Sequence, residues 1–347
     1  MSMNRADADI LSTNNIKPII SYEDVENILN EDYGLENLTI KNLIGYDDKN
    51  FLVKVEKNVD NDYITKICKD GYDCALVFLS NKEICCPKPV KTKRGEYLTL
   101  RKFISGQHIV RILEFIPGSL LVDVECTPNL CYESGAFIAK LNEALKDFKH
   151  KGYEDRNTLW MMINVPKLSE FLFAVKDTKK QRLVTEVIEA FSSRVISKSD
   201  EFEKGLIHGD FNEQNILVKQ EKGRWYVKGA LDFGDSHIAC FLYDVAITMT
   251  YIILHAKDLD RGGYVLAGYN SIRPLSSQEI QLLKVCICAR MCQSLVLGAF
   301  TFSRDPSNTY VLRTAEAGWT LLEKLWSIPD EVIINRWLEI CNSFVYE

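Results

Sequence analysis

Two runs of acids and amides, His208-Gly209-Asp210-Phe211-Asn212-Glu213-Gln214-Asn215 and Leu231-Asp232-Phe233-Gly234-Asp235, flank a pair of apolar segments that meet at Lys222-Gly223. A core strand does not carry carboxylates without partners, because each one buried costs roughly several kcal/mol. Ile216–Lys219 and Trp225–Leu231 with a glycine turn between them predict a hairpin. A hairpin returns its two ends to one place, so Asp210, Asn215 and Asp232 are expected to converge. Phosphoryl transfer needs such a set: one carboxylate to take the acceptor's proton, and a second carboxylate with an amide oxygen to hold Mg²⁺ against phosphates. His208, Asp210 and Asn215 keep the His-x-Asp-x4-Asn spacing of kinase catalytic loops, and Asp232-Phe233-Gly234 is the triplet that follows it. Either half alone is weak; the two in order, joined by a hairpin, are specific. His208 is expected to brace the loop by hydrogen bonds rather than to move protons.

The rest of the chain changes period once. Leu38–Leu43, Asn50–Glu56, Tyr63–Cys68, Glu96–Phe103 and His108–Phe115 read as short strands with turn signals between them, and Tyr72–Leu79 as one short helix. Ser21, three residues before Asp24, is expected to cap an earlier helix. Pro117-Gly118 ends the last strand. Beyond it the periods are helical, at 129–147, 166–175, 180–196, 240–255, 275–302, 309–326 and 330–343. The expected fold class is α+β: a loose tail over residues 1–18, a small antiparallel β lobe over 19–116, and a larger, mostly helical lobe over 117–347.

A small lobe of this kind should offer a lysine to the phosphates. Lys66 lies in the strand Tyr63–Cys68 on the same face as Ile64, where a lysine is unusual unless paired. "LIGYDDKNFLV" stands where a phosphate-covering hairpin belongs, with Gly45 as its one glycine. No GxxxxGK[ST] is present, which excludes a Walker-type cradle. Nothing between Asp235 and the helix near Phe241 is long enough for an activation loop, which favours a small-molecule acceptor over a protein. Cys286, Cys288 and Cys292 point to different faces of one helical segment and read as small core residues.

A net charge of −6 gives no basic surface for nucleic acid. Eleven cysteines at irregular spacing, behind an N-terminus with neither an apolar nor an Arg-rich leader, read as reduced thiols in the cytoplasm. The apolar stretch Val245 to Leu254 is too short to span a bilayer, so no membrane partner is expected.

These motifs resemble the catalytic loop and metal motif of the aminoglycoside phosphotransferase and choline kinase superfamily. Within it the chain is most similar to the hydroxylysine kinase family, on "GYDDKNFLV", "RNTLWMMINVPKLSEFL", "LIHGDFNEQNIL", "ALDFGDSHIACFLYDVAITMTYIIL", "GGYVLAGYNSIRPL" and "ARMCQSLVLGA". The resemblance implies a two-lobed protein-kinase-like fold. It implies transfer of the γ-phosphate of GTP to the 5-hydroxyl of 5-hydroxy-L-lysine, in lysine and collagen breakdown. Asp210 would be the base, and Asn215 and Asp232 the Mg²⁺ ligands. Lys66 would bind the nucleotide's α/β-phosphates, the segment 45–51 with Gly45, Tyr46 and Asn50 would cover them, and a hinge at Leu113–Ile116, with Glu114 and Ile116, would read the base. The preference for GTP over ATP comes wholly from the resemblance. Glu213 and Asp235 are acids near enough to the motif to face the acceptor's amines, Glu213 being otherwise a solvated loop residue, and Arg290 either pairs the acceptor's carboxylate as a fork or is an exposed helix residue. Asp244, at a helix start, either faces those amines or braces the catalytic loop.

One departure stands out. Kinases of this type pair the lysine with a Glu on the next helix, usually well over ten residues downstream. Here the equivalent falls near Asp70, on a shortened helix. Asp70 and Asp73 are the candidate substitutes, each one methylene shorter; Glu83 lies past the apolar run. The alternatives to a hydroxylysine acceptor are choline, ethanolamine or homoserine. The alternative to turnover is a nucleotide-binding protein impaired by an unpaired Lys66.

Overall fold

The computed structural model describes residues 18–43, 48–56, 62–68, 73–306 and 315–346. They fall into two compact units that divide between Pro117 and Gly118.

The first unit begins with helix α1, Tyr22–Ile28. Its start is a reciprocal cap: Ser21 Oγ accepts from the Asp24 N–H at 3.1 Å, and the Asp24 carboxylate accepts from the Ser21 N–H at 3.0 Å. The strands β1 (Leu38–Leu43), β2 (Lys49–Val55), β3 (Tyr63–Cys68), β4 (Thr99–Phe103) and β5 (Gly106–Glu114) form one antiparallel sheet in the order β1-β2-β3-β5-β4. A six-residue helix, α2 (Cys74–Leu79), lies between β3 and β4 in the chain. Phe51, Val53, Ile67, Val110 and Ile112 pack with Val25, Ile28 and Leu29 in the core. Strand alternation sends the intervening side chains to the other face, where register sets Asn50 opposite Lys66 and Lys66 opposite Arg111.

The second unit opens on β6 (Ser119–Leu120) and α3 (Pro128–Leu145), the latter capped by Thr127 with Pro128 in its first turn. The stretch 166–175, expected as an α-helix, lies in a longer 3₁₀ run, Met162–Ala174, with Pro166 inside it. Proline lacks the N–H that an α-helical ladder needs there. Next come α4 (Thr178–Arg194), β7 (Lys204–Ile207), β8 (Ile216–Glu221), β9 (Arg224–Ala230) and β10 (His237–Cys240). They are followed by α5 (Phe241–Ala256), α6 (Arg261–Asn270), α7 (Ser277–Arg304), α8 (Ala315–Ser327) and α9 (Asp330–Ser343). Two small sheets, β6-β8-β9 and β7-β10, are set among these helices.

Helix α7 is long and apolar enough, by length and composition, to cross a membrane, but most of it is buried in this unit. It carries Lys284 inside, where the ammonium donates to the carbonyls of Trp326 and Ile328 and pairs with Asp330 at 2.8 Å. A core helix explains that pattern. Helix α6 was not legible as a helix because Gly262, Gly263 and Gly268 read as loop. The structure shows what Gly268 does, together with Gly135 of α3. A Cβ on Gly268 would overlap the carbonyl of Tyr132, and one on Gly135 would overlap that of Val265, so α3 and α6 cross backbone against backbone.

Candidate active site

The hairpin β8–β9 turns at Lys222-Gly223, both at positive φ (50° and 82°), and pairs Ile216 with Ala230. One bond further, the Leu231 N–H donates to the Asn215 carbonyl at 2.8 Å. The ends of the two polar clusters are therefore joined directly, and Asn215 stands beside Leu231-Asp232.

Asp244, fully buried in the first turn of α5, holds the first cluster in place. Its two oxygens accept from the His208 and Gly209 N–H groups, both at 2.9 Å, and from the Asn142 amide at 2.8 Å. Tyr269 donates in turn to Asn142 at 3.0 Å. Gly209 has φ 79°, and a Cβ there would lie 2.5 Å from the Asp235 carbonyl oxygen. Only glycine lets the two clusters come this close. His208 is buried; its Nε2 bonds the Leu231 carbonyl at 2.9 Å and its Nδ1 accepts from the Asp210 N–H at 3.2 Å. Burial pushes its pKa down, so the imidazole is a neutral brace between the clusters. Rings of Phe211 and Phe233 pack on it at 5.6 and 4.7 Å.

Asp210 is the centre of the group. Its Oδ2 accepts from Asn212 at 2.9 Å and Asn215 at 3.1 Å, and its Oδ1 from Arg290 Nη2 at 2.8 Å. Burial pushes the carboxyl up, the Arg290 guanidinium pulls it down, and the charge of Asp235 raises it again, leaving it at about 7. A carboxylate at that value is ionised enough at neutral pH to take a proton and basic enough to keep it. The acid limb of kcat/KM is therefore expected near pH 7, with activity rising as Asp210 ionises. Arg290→Gln removes a positive charge and moves the midpoint up; Asp235→Asn removes a negative one and moves it down. Rate profiles between pH 5 and 9 check both directions, and shifts of one sign for both variants would exclude Asp210 as the titrating group.

Arg290 does more than the sequence suggested. Its Nη1 donates to the Trp160 carbonyl at 3.0 Å and to Gln293 at 2.9 Å, and its guanidinium lies 5.3 and 5.4 Å from the rings of Trp160 and Tyr251. With 1% of its side chain exposed, it pairs Asp210 and is not an open fork for a ligand's carboxylate. Glu213 is buried, and its charge, like that of Asp210, acts on Tyr251. Asp235 is half-buried; its carbonyl bonds His237 Nδ1 at 2.7 Å and its carboxylate lies 3.9 Å from Arg156. Arg156, Asn142, Tyr251, Tyr269 and Gln293 were missed from the sequence. Asn142 alone left a signal, a polar side chain among Ile138, Leu141 and Leu145 on the buried face of α3.

The donor set fits a divalent cation with oxygen ligands. The amide nitrogen of Asn215 is spent on Asp210, at its carbonyl and its carboxylate, which leaves the amide oxygen as the atom that would face a cation. Asp232 is exposed at φ 55°, one of its oxygens accepting from the Gly234 N–H at 3.2 Å. Among the described residues no cluster of three His, Cys, Asp or Glu could hold a metal. Two protein oxygens suit Mg²⁺, which keeps waters and phosphate oxygens for its other positions.

The first unit carries a charged group of its own. Lys66 is buried, and its ammonium pairs with Asp48 at 2.9 Å. The β2–β3 register explains this, since Asp48 and Asn50 point to the face that Lys66 occupies. Of the two candidate substitutes for the missing Glu, Asp73 lies against β5 and binds Arg111 at 2.5 Å, both buried, and the charge of Lys66 also acts on it. Asp70, Gly45 and Tyr46 lie outside the described residues. Asn50 is half-buried, its Oδ1 without a partner among the described residues. Glu114 is exposed at the end of β5, its N–H donating to the Lys88 carbonyl at 2.8 Å, and Ile116 is half-buried just before the unit boundary. All eleven cysteines are free thiols.

Residues 40–275 match the phosphotransferase enzyme family APH. A hydroxylysine kinase of Xenopus laevis is 31% identical over 97% of this chain and 98% of its own. That of Danio rerio is 28% identical over 96% and 99%. A homoserine kinase of Cupriavidus metallidurans is 25% identical over 68% of this chain and 73% of its own. Among solved structures, a microcompartment-associated aminopropanol kinase superposes with a TM-score of 0.69, covering 88% of this chain and 98% of that one at 16% identity. At that identity the likeness concerns the fold.

Proposed function

Because the chain belongs to the phosphotransferase enzyme family APH, we propose that it is a hydroxylysine kinase, moving the γ-phosphate of GTP to the 5-hydroxyl of 5-hydroxy-L-lysine. The observation that carries the acceptor is one of extent: likeness to hydroxylysine kinases runs over 97% of this chain, against 68% for the homoserine kinase. The donor follows the same kinship. Asp210 accepts the hydroxyl proton as the oxygen attacks, a role that its pKa of about 7 supports. Asn215 and Asp232 hold the Mg²⁺, which neutralises charge on the phosphates. Lys66, drawn from Asp48, binds the α/β-phosphates. The eleven free thiols accord with a reducing, cytoplasmic setting.

The test is an acceptor panel with labelled GTP and Mg²⁺: 5-hydroxylysine, homoserine, choline and ethanolamine, repeated with ATP. The expected result is a kcat/KM highest for 5-hydroxylysine and for GTP. A higher value for another amino alcohol replaces the acceptor, and nucleotide binding without transfer to any of them overturns the assignment.

A further inference from the structure

Arg290 stands beside Asp210 and Arg156 beside Asp235, and their Nη groups are differently engaged. Arg290 spends its Nη groups on Asp210, the Trp160 carbonyl and Gln293, with its Nε buried and without an acceptor among the described residues. Arg156 has 12% of its side chain exposed, and among the described residues it has an ion pair but no hydrogen bond. Its Nη2 is 3.9 Å from Asp235 Oδ1, too long for one, and its Nε is buried without an acceptor. A guanidinium carries five donors, and leaving them unused away from water is costly unless something comes to use them.

The chain around it is fastened. Asn164 donates to the Asn157 side chain and the Thr158 carbonyl, both at 2.7 Å. Gln293 donates to the carbonyls of Leu159 at 2.6 Å and Met161 at 3.2 Å. Arg290 takes the Trp160 carbonyl between them. A loop held residue by residue thus presents an arginine whose Nε is buried without an acceptor and whose Nη2 makes only a long ion pair.

We propose that Arg156 receives the carboxylate of the acceptor, with Asp235 beside it taking the α-ammonium, so that the site selects hydroxy amino acids over simple amino alcohols. The loose Arg156–Asp235 pair offers one positive and one negative group side by side, the complement of an α-amino acid zwitterion. A planar fork binds a carboxylate through two parallel hydrogen bonds. The position is right as well: the Asp235 backbone lies against Gly209, the residue before Asp210, so the ligand's charged end is held close to where its hydroxyl must react.

The inference rests on the acceptor proposed above, and the test separates the two. Wild type, Arg156→Gln and Arg156→Lys are compared on 5-hydroxylysine and on its α-amide, which lacks the carboxylate charge. Wild type is expected to prefer the acid by roughly 10- to 100-fold in kcat/KM, the range for a charged hydrogen-bonded pair. Arg156→Gln brings that ratio close to one through KM rather than kcat, and Arg156→Lys recovers part of it. A ratio unchanged in Arg156→Gln, or acid and amide equal in wild type, overturns the proposal; the second result needs no variant to fold. If homoserine is the better acceptor, hydroxylysine falls and the same acid-to-amide ratio, read on homoserine, decides Arg156. If ethanolamine or choline is better, both fall.

Discussion

Asp210→Asn is expected to lower kcat by roughly 10²–10⁴-fold, the usual worth of a positioned general base. The amide has nearly the same shape but cannot take the hydroxyl's proton. Three donors, from Asn212, Asn215 and Arg290, converge on the carboxylate. An amide presents one oxygen and one NH₂ to them, so at least one donor loses its acceptor. The negative charges of Asp232 and Asp235, which oppose ionisation of Asp210, lose an adversary at the same time. These two changes offset each other in part, so thermal stability is expected to move far less than the rate. Phosphate transfer and a melting curve on the same preparation measure both. A variant with more than about a tenth of wild-type kcat would mean that another group takes the proton.

The largest loss of stability is expected from Asp244→Ala, on the order of 3–5 kcal/mol. Three donors end on that carboxylate: the backbone N–H groups of His208 and Gly209 and the Asn142 amide. The site has no exposure, so water does not replace the lost oxygens without a cavity opening. Each buried donor left without an acceptor costs roughly 1–3 kcal/mol. Asp244→Asn keeps one acceptor oxygen and is expected to lose less. Urea unfolding with matched slopes is the measurement, and equal midpoints for wild type and Asp244→Ala would refute the role given to this carboxylate.

Most of the fold could be read from local pattern because most of it is built that way. Strands β1 and β3 lie within the boundaries that alternation and turn residues indicated, and β2, β4 and β5 depart from them by one to three residues. Helix α6 could not be read so, since its glycines make room for other helices, Gly268 for α3 and Gly263 for Ile340 of α9. The approach of the two polar clusters was legible because their members sit in two short runs tied by one hairpin. What lay hidden depended on register or on long-range approach. Asp48 meets Lys66 only through strand pairing, and Arg290 reaches Asp210 across 80 positions of chain. Arg156 sits in a segment with no period at all, where sequence offers no direction for a side chain.

The crossing of α3 and α6 has a reach beyond its own packing. Gly135 and Asn142 belong to α3, Gly268 and Tyr269 to α6, so the contact between two bare backbones also sets the distance over which Tyr269 grips Asn142. Asn142 in turn supports Asp244. A methyl group added at either glycine has no rotamer to escape into and must wedge the helices apart. The injury is then felt at a carboxylate that neither glycine touches, and a survey confined to residues lining the reaction centre would never find its source.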